Sequence, residues 1–324
     1  MLWLAGLMGM ALFGSAVAFQ TGGDEAMEDD SDVPAGRDPE ESGGTSADGL
    51  LALLDSARDD STAPAPIVGG AGDDVLSGGA DDDWLNGYDG DDTVSGGDGG
   101  DHIAGSDGDD WLIGGGGADA LEGGRDDDLL EGRAGNDTLN GHVGDDTLLG
   151  GSGDDSAQGG GGDDLVTGGA GDDALHGHDG ADTLRGDAGE DTLFGGRGDD
   201  VLDGRETGPA EADYLNGGPG ADSILAGAAD IVTGGADADE IILAVDDGPA
   251  AQILDFDGLE DRLLVLYDAV PGSAPQIDLR VDDDEAGLTH VLLDGVEIAR
   301  VNGSGPLALS DIALLSRQSA ALQG

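Results

Sequence analysis

The chain has 324 residues, 65 of them glycine and 3% aromatic, and 72 acidic side chains stand against 11 basic ones for a formal net charge of -61. Such a charge repels phosphate backbones, so nucleic acid is excluded as a partner, and the absence of cysteine excludes disulfide staples and thiolate metal sites. Composition without order describes a chain too acidic and too poor in apolar area to fold, and it is the order that predicts otherwise.

Residues 1–19 stand apart. Leu2 to Phe19 runs for eighteen residues without a charge, enough to cross roughly 27 Å of hydrocarbon as a helix. Ala16-Val17-Ala18 has the A-x-A form of a signal-peptidase site, yet no Lys or Arg precedes the apolar stretch. Two readings stand, an uncleaved signal that anchors the chain in a membrane and a cleaved signal peptide, with a buried core helix as a third. Either of the first two puts the rest of the chain outside the cytoplasm, secreted or at the cell surface. Residues 20–65 are acidic and rich in Gly, Ser and Pro, the composition of a disordered tether. Within them Leu50 to Ala57 reads either as a short helix that caps the neighbouring folded segment or as a transient helix in the linker.

From Gly69 to Asp203 one nine-residue unit recurs fifteen times without a gap. The first reads G-G-A-G-D-D-V-L-S, and Gly159 to Thr167 and Gly195 to Asp203 are near copies. Position one is Gly in all fifteen units and position six is Asp in all fifteen. Position four is Gly in thirteen; the exceptions, Asp81 and Asp126, are asked to take a positive φ, which Asp tolerates better than most residues. Position eight is Leu, Ile or Val in fourteen, and Ala157 in the remaining unit makes a soft rung. Ordering nine residues costs more than burying one aliphatic side chain returns. A hard cation with oxygen ligands supplies what is missing, because regularly spaced carboxylates beside turn glycines are oxygen donors. Calcium fits best, since it accepts six to eight oxygens in flexible geometry, whereas magnesium demands a strict octahedron and zinc favours Cys or His.

The consensus G-G-x-G-x-D-x-(aliphatic)-x resembles the calcium-binding nonapeptide of RTX (repeats-in-toxin) proteins, also called hemolysin-type calcium-binding repeats, and the resemblance covers about half the chain. It implies an all-β fold, a parallel β-roll or β-solenoid, in which the first six residues of each unit turn and bind calcium and the last three form a short strand. Two units make one turn, so aspartates eighteen residues apart fall into two calcium stacks on opposite edges. One stack is Asp74, Asp92, Asp110, Asp128, Asp146, Asp164, Asp182 and Asp200; the other is Asp83, Asp101, Asp119, Asp137, Asp155, Asp173 and Asp191. Leu76 through Leu202 at position eight form the apolar ladder. Pro66-Ile67-Val68 resembles an entering half unit, with Ile67 at the aliphatic position.

Past residue 203 the pattern frays without ending. A four-residue insertion around Pro209 is expected to bulge out before Asp213, Tyr214 and Leu215 restore the repeat. Asp222, Asp230 and Asp239 close three further units, the one with Asp230 a residue short, so Asp213, Asp222, Asp230 and Asp239 are imperfect calcium sites and the roll spans residues 66–242.

Residues 243–324 change character, with alternating apolar positions in Ile253 to Phe256, Arg262 to Tyr267, Ile277 to Val281, Leu288 to Leu293 and Val296 to Val301 that read as strands. Asp294-Gly295 is a hairpin turn signal. This stretch is similar to the β-rich C-terminal flank that closes the roll in RTX proteins and in many carries a type I secretion signal; substrates of that route usually lack an N-terminal apolar segment.

No catalytic constellation stands out. His102, His142, His176, His178 and His290 have no second His four residues on, so the zinc helix of RTX metalloproteases is missing, and the pair His176 and His178 reads as surface side chains at positions nine and two. Trp84, Trp111 and Tyr214 occupy position seven, where the side chain faces outward to shield the sheet or to stack on sugar rings. The expected protein is not an enzyme. It is an extracytoplasmic calcium-binding roll that folds on calcium and serves as a structural or adhesion element, with a membrane at its N-terminus and a cell-surface glycan or matrix polymer as remaining partner classes. The alternative is a helper module of a secreted carbohydrate-acting enzyme or effector.

Overall fold

The computed structural model describes residues 65–206, 211–245, 248–268, 275–285, 287–305 and 307–317. The apolar segment 1–19, the tether to residue 64 with its Leu50 to Ala57 stretch, and the tip of the insertion at Pro209 lie outside the described residues. Among the described residues no helix is long and apolar enough to cross a membrane.

Each nonapeptide builds one strand of a solenoid because its residues alternate correctly for one. In Thr138–Val143 the side chains read exposed, buried, half-buried, buried, exposed, exposed, with Leu139 and Gly141 facing in, and the same alternation recurs along the repeat. Strands nine residues apart belong to opposite sheets, and strands eighteen apart pair in parallel, as Thr147 with Leu165 and Leu148 with Val166. The strands are longer than the three residues implied by the resemblance. Most have six, from position seven through position three of the following unit. Positions one to three stay extended enough to pair with the next rung, as Gly151 with Gly169 and Ser152 with Ala170, so the turn shrinks to positions four to six.

Two sheets face each other. The first begins with Ile67–Ala71 and Trp84–Asp89, takes every second strand to Ala251–Phe256, and ends in Val296–Gly303, Leu288–Leu293 and Ile277–Val281. The second begins with Val75–Ser77 and Thr93–Asp98 and ends in Arg262–Tyr267 and Ile312–Ser316. Ile67 pairs with Leu85, as its entering half unit predicts. Between the sheets runs one apolar column, with Val94, Leu112, Leu130, Leu148 and Leu184 at 0% exposure. Ala157 is equally buried and in register between Leu139 and Leu175, so its methyl stands where the neighbouring rungs place isobutyl groups.

The irregular units keep register. Thr192 pairs with Tyr214 across the insertion and Tyr214 with Ile231 across the short unit, while Leu215, Ile224, Val232 and Ile241 remain fully buried. Ile253, Leu263 and Val265 extend the same column past residue 242. The five C-terminal strands that alternation predicts form at their expected places, and a sixth that it did not mark, Ile312–Ser316, pairs in parallel with Arg262–Tyr267. Asp294 and Gly295 take φ of 50° and 84°, the doubly positive turn that matches hairpin twist. Val296–Gly303 joins the roll in parallel to Ala251–Phe256, and Leu288–Leu293 and Ile277–Val281 then turn antiparallel, closing the edge of the first sheet.

Candidate metal centre

The position-six aspartates form two continuous columns. In one, the N–H of Asp128 donates to Oδ1 of Asp146 at 2.8 Å and that of Asp146 to Oδ1 of Asp164 at 2.8 Å. The other runs from Asp119 to Asp137 at 2.8 Å and on to Asp155 at 2.7 Å. All nineteen predicted aspartates lie in these columns. Asp213 and Asp230 continue the column of Asp191, and Asp222 and Asp239 that of Asp200. The spacing stretches to 22 residues at the insertion and shortens to 17 after it without breaking either chain of bonds.

Each carboxylate from Asp92 onward therefore spends Oδ1 on the preceding loop. In sixteen of them, from Asp92 to Asp222 with Asp239 and excluding Asp230, Oδ2 is buried with no hydrogen-bond partner. Buried acceptors in native proteins are almost always satisfied, so a column of orphaned carboxylate oxygens marks a position that something else fills. Position one explains the space beside them. A Cβ built on Gly132 would lie 2.5 Å from Oδ2 of Asp137 and 2.7 Å from the carbonyl oxygen of Gly150, and one on Gly150 would meet Asp155 and Gly168 in the same way. The carboxylate oxygen and the next rung's carbonyl thus border one small volume that any side chain would close. Further along the turn, carbonyls of positions two and four point down the stack, as those of Gly97 and Gly99 do toward Gly115 and Gly117.

Desolvation dominates the electrostatics. Burial pushes the carboxyls of Asp128 and Asp213 up to about 8, with neighbouring carboxylates adding to the rise and the backbone N–H on Oδ1 opposing it. Asp164, Asp173, Asp200 and Asp239 are raised to about 7 and Asp110, Asp191 and Asp222 to about 6, also chiefly by burial. A buried anion with no compensating charge shifts its pKa or acquires a cation. Among the described residues no three His, Asp or Glu side chains converge on a common point, so a cation here takes one or two carboxylates and completes its shell with carbonyls. That is calcium's preference in ligand type and number.

The predicted aspartates are not equivalent. Oδ2 of Asp74, in the first turn, accepts the Gly70 N–H at 2.8 Å, and Oδ2 of Asp230, in the short unit, accepts the Gly227 N–H at 2.6 Å. In those two loops the backbone has taken the acceptor that the others leave open. Asp83 is buried and donates its N–H to Asp101.

Three features were missed from sequence. Position five forms a second ladder of opposite polarity, in which Oδ1 of Asp145 accepts the N–H of Asp163 and Oδ1 of Asp163 accepts that of Ala181, both at 2.8 Å; the recurrence of Asp at position five was its signal. Asp261 extends the column of Asp239, and its sequence Asp-Arg-Leu matches the end of a repeat. Its Oδ2 accepts the Asp257 N–H at 2.6 Å, so the column ends satisfied. Position two takes a positive φ from Tyr88 onward through the regular block, which is why Gly prevails there. Of the two aspartates at position four, Asp126 has φ of 72° as expected, but Asp81 is outside the left-handed region. Gly70 and Gly79 of the same first turn are outside it too; these units have no earlier rung to stack upon.

Comparison with a protein-family model agrees with this geometry. The family model described as RTX calcium-binding nonapeptide repeat (4 copies) matches residues 68–103, 95–130, 122–157, 149–184, 176–206 and 210–241, together more than half of the chain. No curated protein matches the sequence. Among solved structures, the crystal structure of extracellular lipase LipA from Serratia marcescens is similar at 18% identity and a TM-score of 0.22, over 64% of this chain and 40% of the lipase chain.

Proposed function

The chain belongs to the RTX calcium-binding nonapeptide repeat family, and on that premise we propose that it is a calcium-folded roll that acts outside the cytoplasm as a secreted or surface-held structural or adhesive element, without catalytic activity of its own. The repeats of this family bind calcium in a β-roll. What is assigned to this chain is the ligand set: the sixteen position-six aspartates with an orphaned Oδ2, aided by carbonyls of positions one, two and four, with Asp83 a member of the same series and Asp74 and Asp230 weaker members. The observation that carries the reading is that continuous column of unpartnered, buried carboxylate oxygens.

Calcium, when bound, supplies the positive charge that lets stacked carboxylates ionise side by side. The protein's own groups do the rest. Oδ1 holds the preceding loop in register, the glycine at position one leaves the opening, and position eight buries the inner face. An extracytoplasmic setting suits this design because calcium is plentiful there, and a net charge of -61 keeps the chain expanded where calcium is scarce. Circular dichroism of the full chain in chelator, followed by titration to millimolar calcium, tests the reading. A cooperative gain of β-structure is expected; a spectrum that calcium leaves unchanged sinks it.

A further inference from the structure

The two sheets present different outer surfaces. Because position eight faces inward, positions seven, nine and two face out. On the eight strands of the first sheet from Trp84–Asp89 to Tyr214–Pro219, Glu122 is the one charged residue at those positions, in a chain of net charge -61. The second sheet carries Glu131, Arg133, Arg185, Asp187 and Asp203 at the equivalent places. Those positions hold rings and amides, while the exposed position three of the same strands carries Asp89 and the ion pairs Asp107–Arg125 and Asp179–Arg197. Trp84 and His102 lie 4.5 Å apart between ring centroids with Tyr88 beside them, and further along His176, Phe194 and Tyr214 form a chain of ring contacts at 5.9 and 5.7 Å. Asn86, Asn140, Gln158 and Asn216 stand among them. Each ring group borders an open concavity. One of about 360 Å³ is lined by Trp84, Asn86, Tyr88, His102 and Glu122, and the other, of about 500 Å³, by Asn140, His142, Gln158, His176 and His178 with the Asp179–Arg197 ion pair, over the bare backbone of Gly160. Trp84 and His176 are five rungs apart, roughly 24 Å at about 4.8 Å per rung.

Backbone strain marks the same residues independently. Tyr88, His142 and His178 hold φ of 80°, 76° and 84° at position two, where glycine is the unstrained choice. None of the three contributes to the core, all lie on the first sheet, and all line a concavity. Strained residues kept on a surface point to a use there. The other non-glycine residues with positive φ at position two have local partners: on the second sheet Arg133 and Asp187 form ion pairs with Glu131 and Arg185, and on the first the Ser106 hydroxyl donates to Oδ1 of Asn86 at 3.3 Å.

We propose that the outer face of the first sheet binds an uncharged polysaccharide, with sugar faces stacked on the rings at the two concavities and hydroxyls hydrogen-bonded to the interleaved amides and imidazoles. Planar rings with amides suit a hydroxylated, uncharged polymer, and the acidic remainder of the roll repels polyanions. This rests on the adhesive reading above, because the face exists only in the calcium-folded roll.

The test is affinity electrophoresis of the full chain in millimolar calcium through gels containing dextran, galactomannan or mixed-linkage β-glucan, with polygalacturonate as the anionic comparison. At least one uncharged polymer is expected to retard the protein, and the combined variant Tyr88→Gly, His142→Gly and His178→Gly to weaken that retardation at least tenfold. The same variant is expected to fold at equal or lower calcium, since glycine relieves the positive φ, so lost binding is separable from lost folding by circular dichroism. Arg133→Gly, on the other sheet, keeps the retardation. Absence of retardation by all three uncharged polymers, retardation that survives the triple variant, or equal retardation by polygalacturonate overturns the proposal while leaving the calcium reading intact. A chain that fails to gain β-structure in calcium overturns both.

Discussion

Burial raises the carboxyls of Asp110 and Asp128 to about 6 and about 8 and pushes others of the column, Asp137 and Asp146 among them, above their ordinary value, and this determines how pH acts on the roll with and without metal. A carboxyl whose pKa in the fold lies above its ordinary value stabilises the fold while protonated. That contribution is complete below the ordinary carboxylate range and is lost as pH rises through the folded values. In chelator, acidification from pH 8.5 to 5 is therefore expected to increase β-structure. In calcium the direction reverses, because protons compete for the same oxygens, and the calcium midpoint is expected to rise as pH falls. Circular dichroism at several pH values, with and without metal, checks both; metal-free β-structure that declines on acidification would contradict the assignment. The aspartates also differ among themselves. Asp137 has an orphaned Oδ2 and neighbours on both sides, whereas the Oδ2 of Asp230 is taken by the Gly227 N–H. Asp137→Ala is expected to raise the calcium midpoint several-fold and flatten the titration, and Asp230→Ala to leave the calcium response nearly unchanged while weakening its own loop. Equal effects in calorimetric titration would argue for independent, equivalent sites. The short unit marked Asp230 as an imperfect site in the sequence, but the cause of the difference was not legible there. Both residues end a repeat with Asp and an aliphatic two places on, and only the fold reveals that a shortened unit brings a backbone N–H to the second oxygen.

At the scale of a single rung, period nine made the ladder legible and hid how the labour is divided within it. Position eight was readable as the core because an invariant aliphatic every nine residues has one inward place to go, and the burial of Leu112 through Leu202 bears this out. The glycines were harder, because their sequence is the same whether a glycine serves a dihedral or an empty space. Position one falls outside the left-handed region and serves space, while positions two and four serve the dihedral. A matched pair of substitutions separates the roles. In Gly132→Ala the new methyl lies 2.5 Å from Oδ2 of Asp137 and 2.7 Å from the Gly150 carbonyl, so a loss of about 2 kcal/mol or more is expected from the overpacking, together with a weakened calcium response. At Gly161, in position three, a Cβ meets nothing within 4 Å and φ is ordinary, so Gly161→Ala is expected to stabilise by about 0.4–1 kcal/mol through the unfolded chain. Thermal unfolding in saturating calcium measures both, and a Gly132→Ala protein as stable as its parent would show that the opening beside Asp137 is dispensable. The strands themselves proved twice the expected length, because backbone pairing tolerates the glycines of positions one to three once neighbouring rungs align them.

Across the whole roll, each rung contacts chiefly the rungs before and after it, so stability is a sum of weak units and nearest-neighbour terms. The two opposed ladders of position five and position six strengthen that coupling, since each loop is tied forward by one carboxylate and backward by the next. Cooperativity then depends on the ends, where a parallel sheet exposes unpaired backbone. Five of the C-terminal strands were legible individually from alternation and Ile312–Ser316 was not; the placement of none was legible, because parallel pairing of Val296–Gly303 with Ala251–Phe256 joins residues more than forty apart with no local signal. That pairing buries Val301 and Ala299 against the last rung, with Val301 opposite Ile253. The antiparallel hairpin beyond it leaves Arg280 and Arg300 exposed around Glu297, which discourages addition of further strands. If this closure sets the stability of the end rungs, its loss must travel inward by the same nearest-neighbour terms that hold the roll together. Val301→Asp, which puts an unpaired charge into that contact, is therefore expected to shift the calcium titration of the entire roll to higher concentration and to broaden it. Hydrogen exchange in calcium should then lose protection from Ala251–Phe256 first and from Thr138–Val143 last. Uniform loss of protection across all rungs would mean that the roll opens as one unit, and an unaltered titration would mean that the C-terminal strands merely adjoin a roll that closes itself.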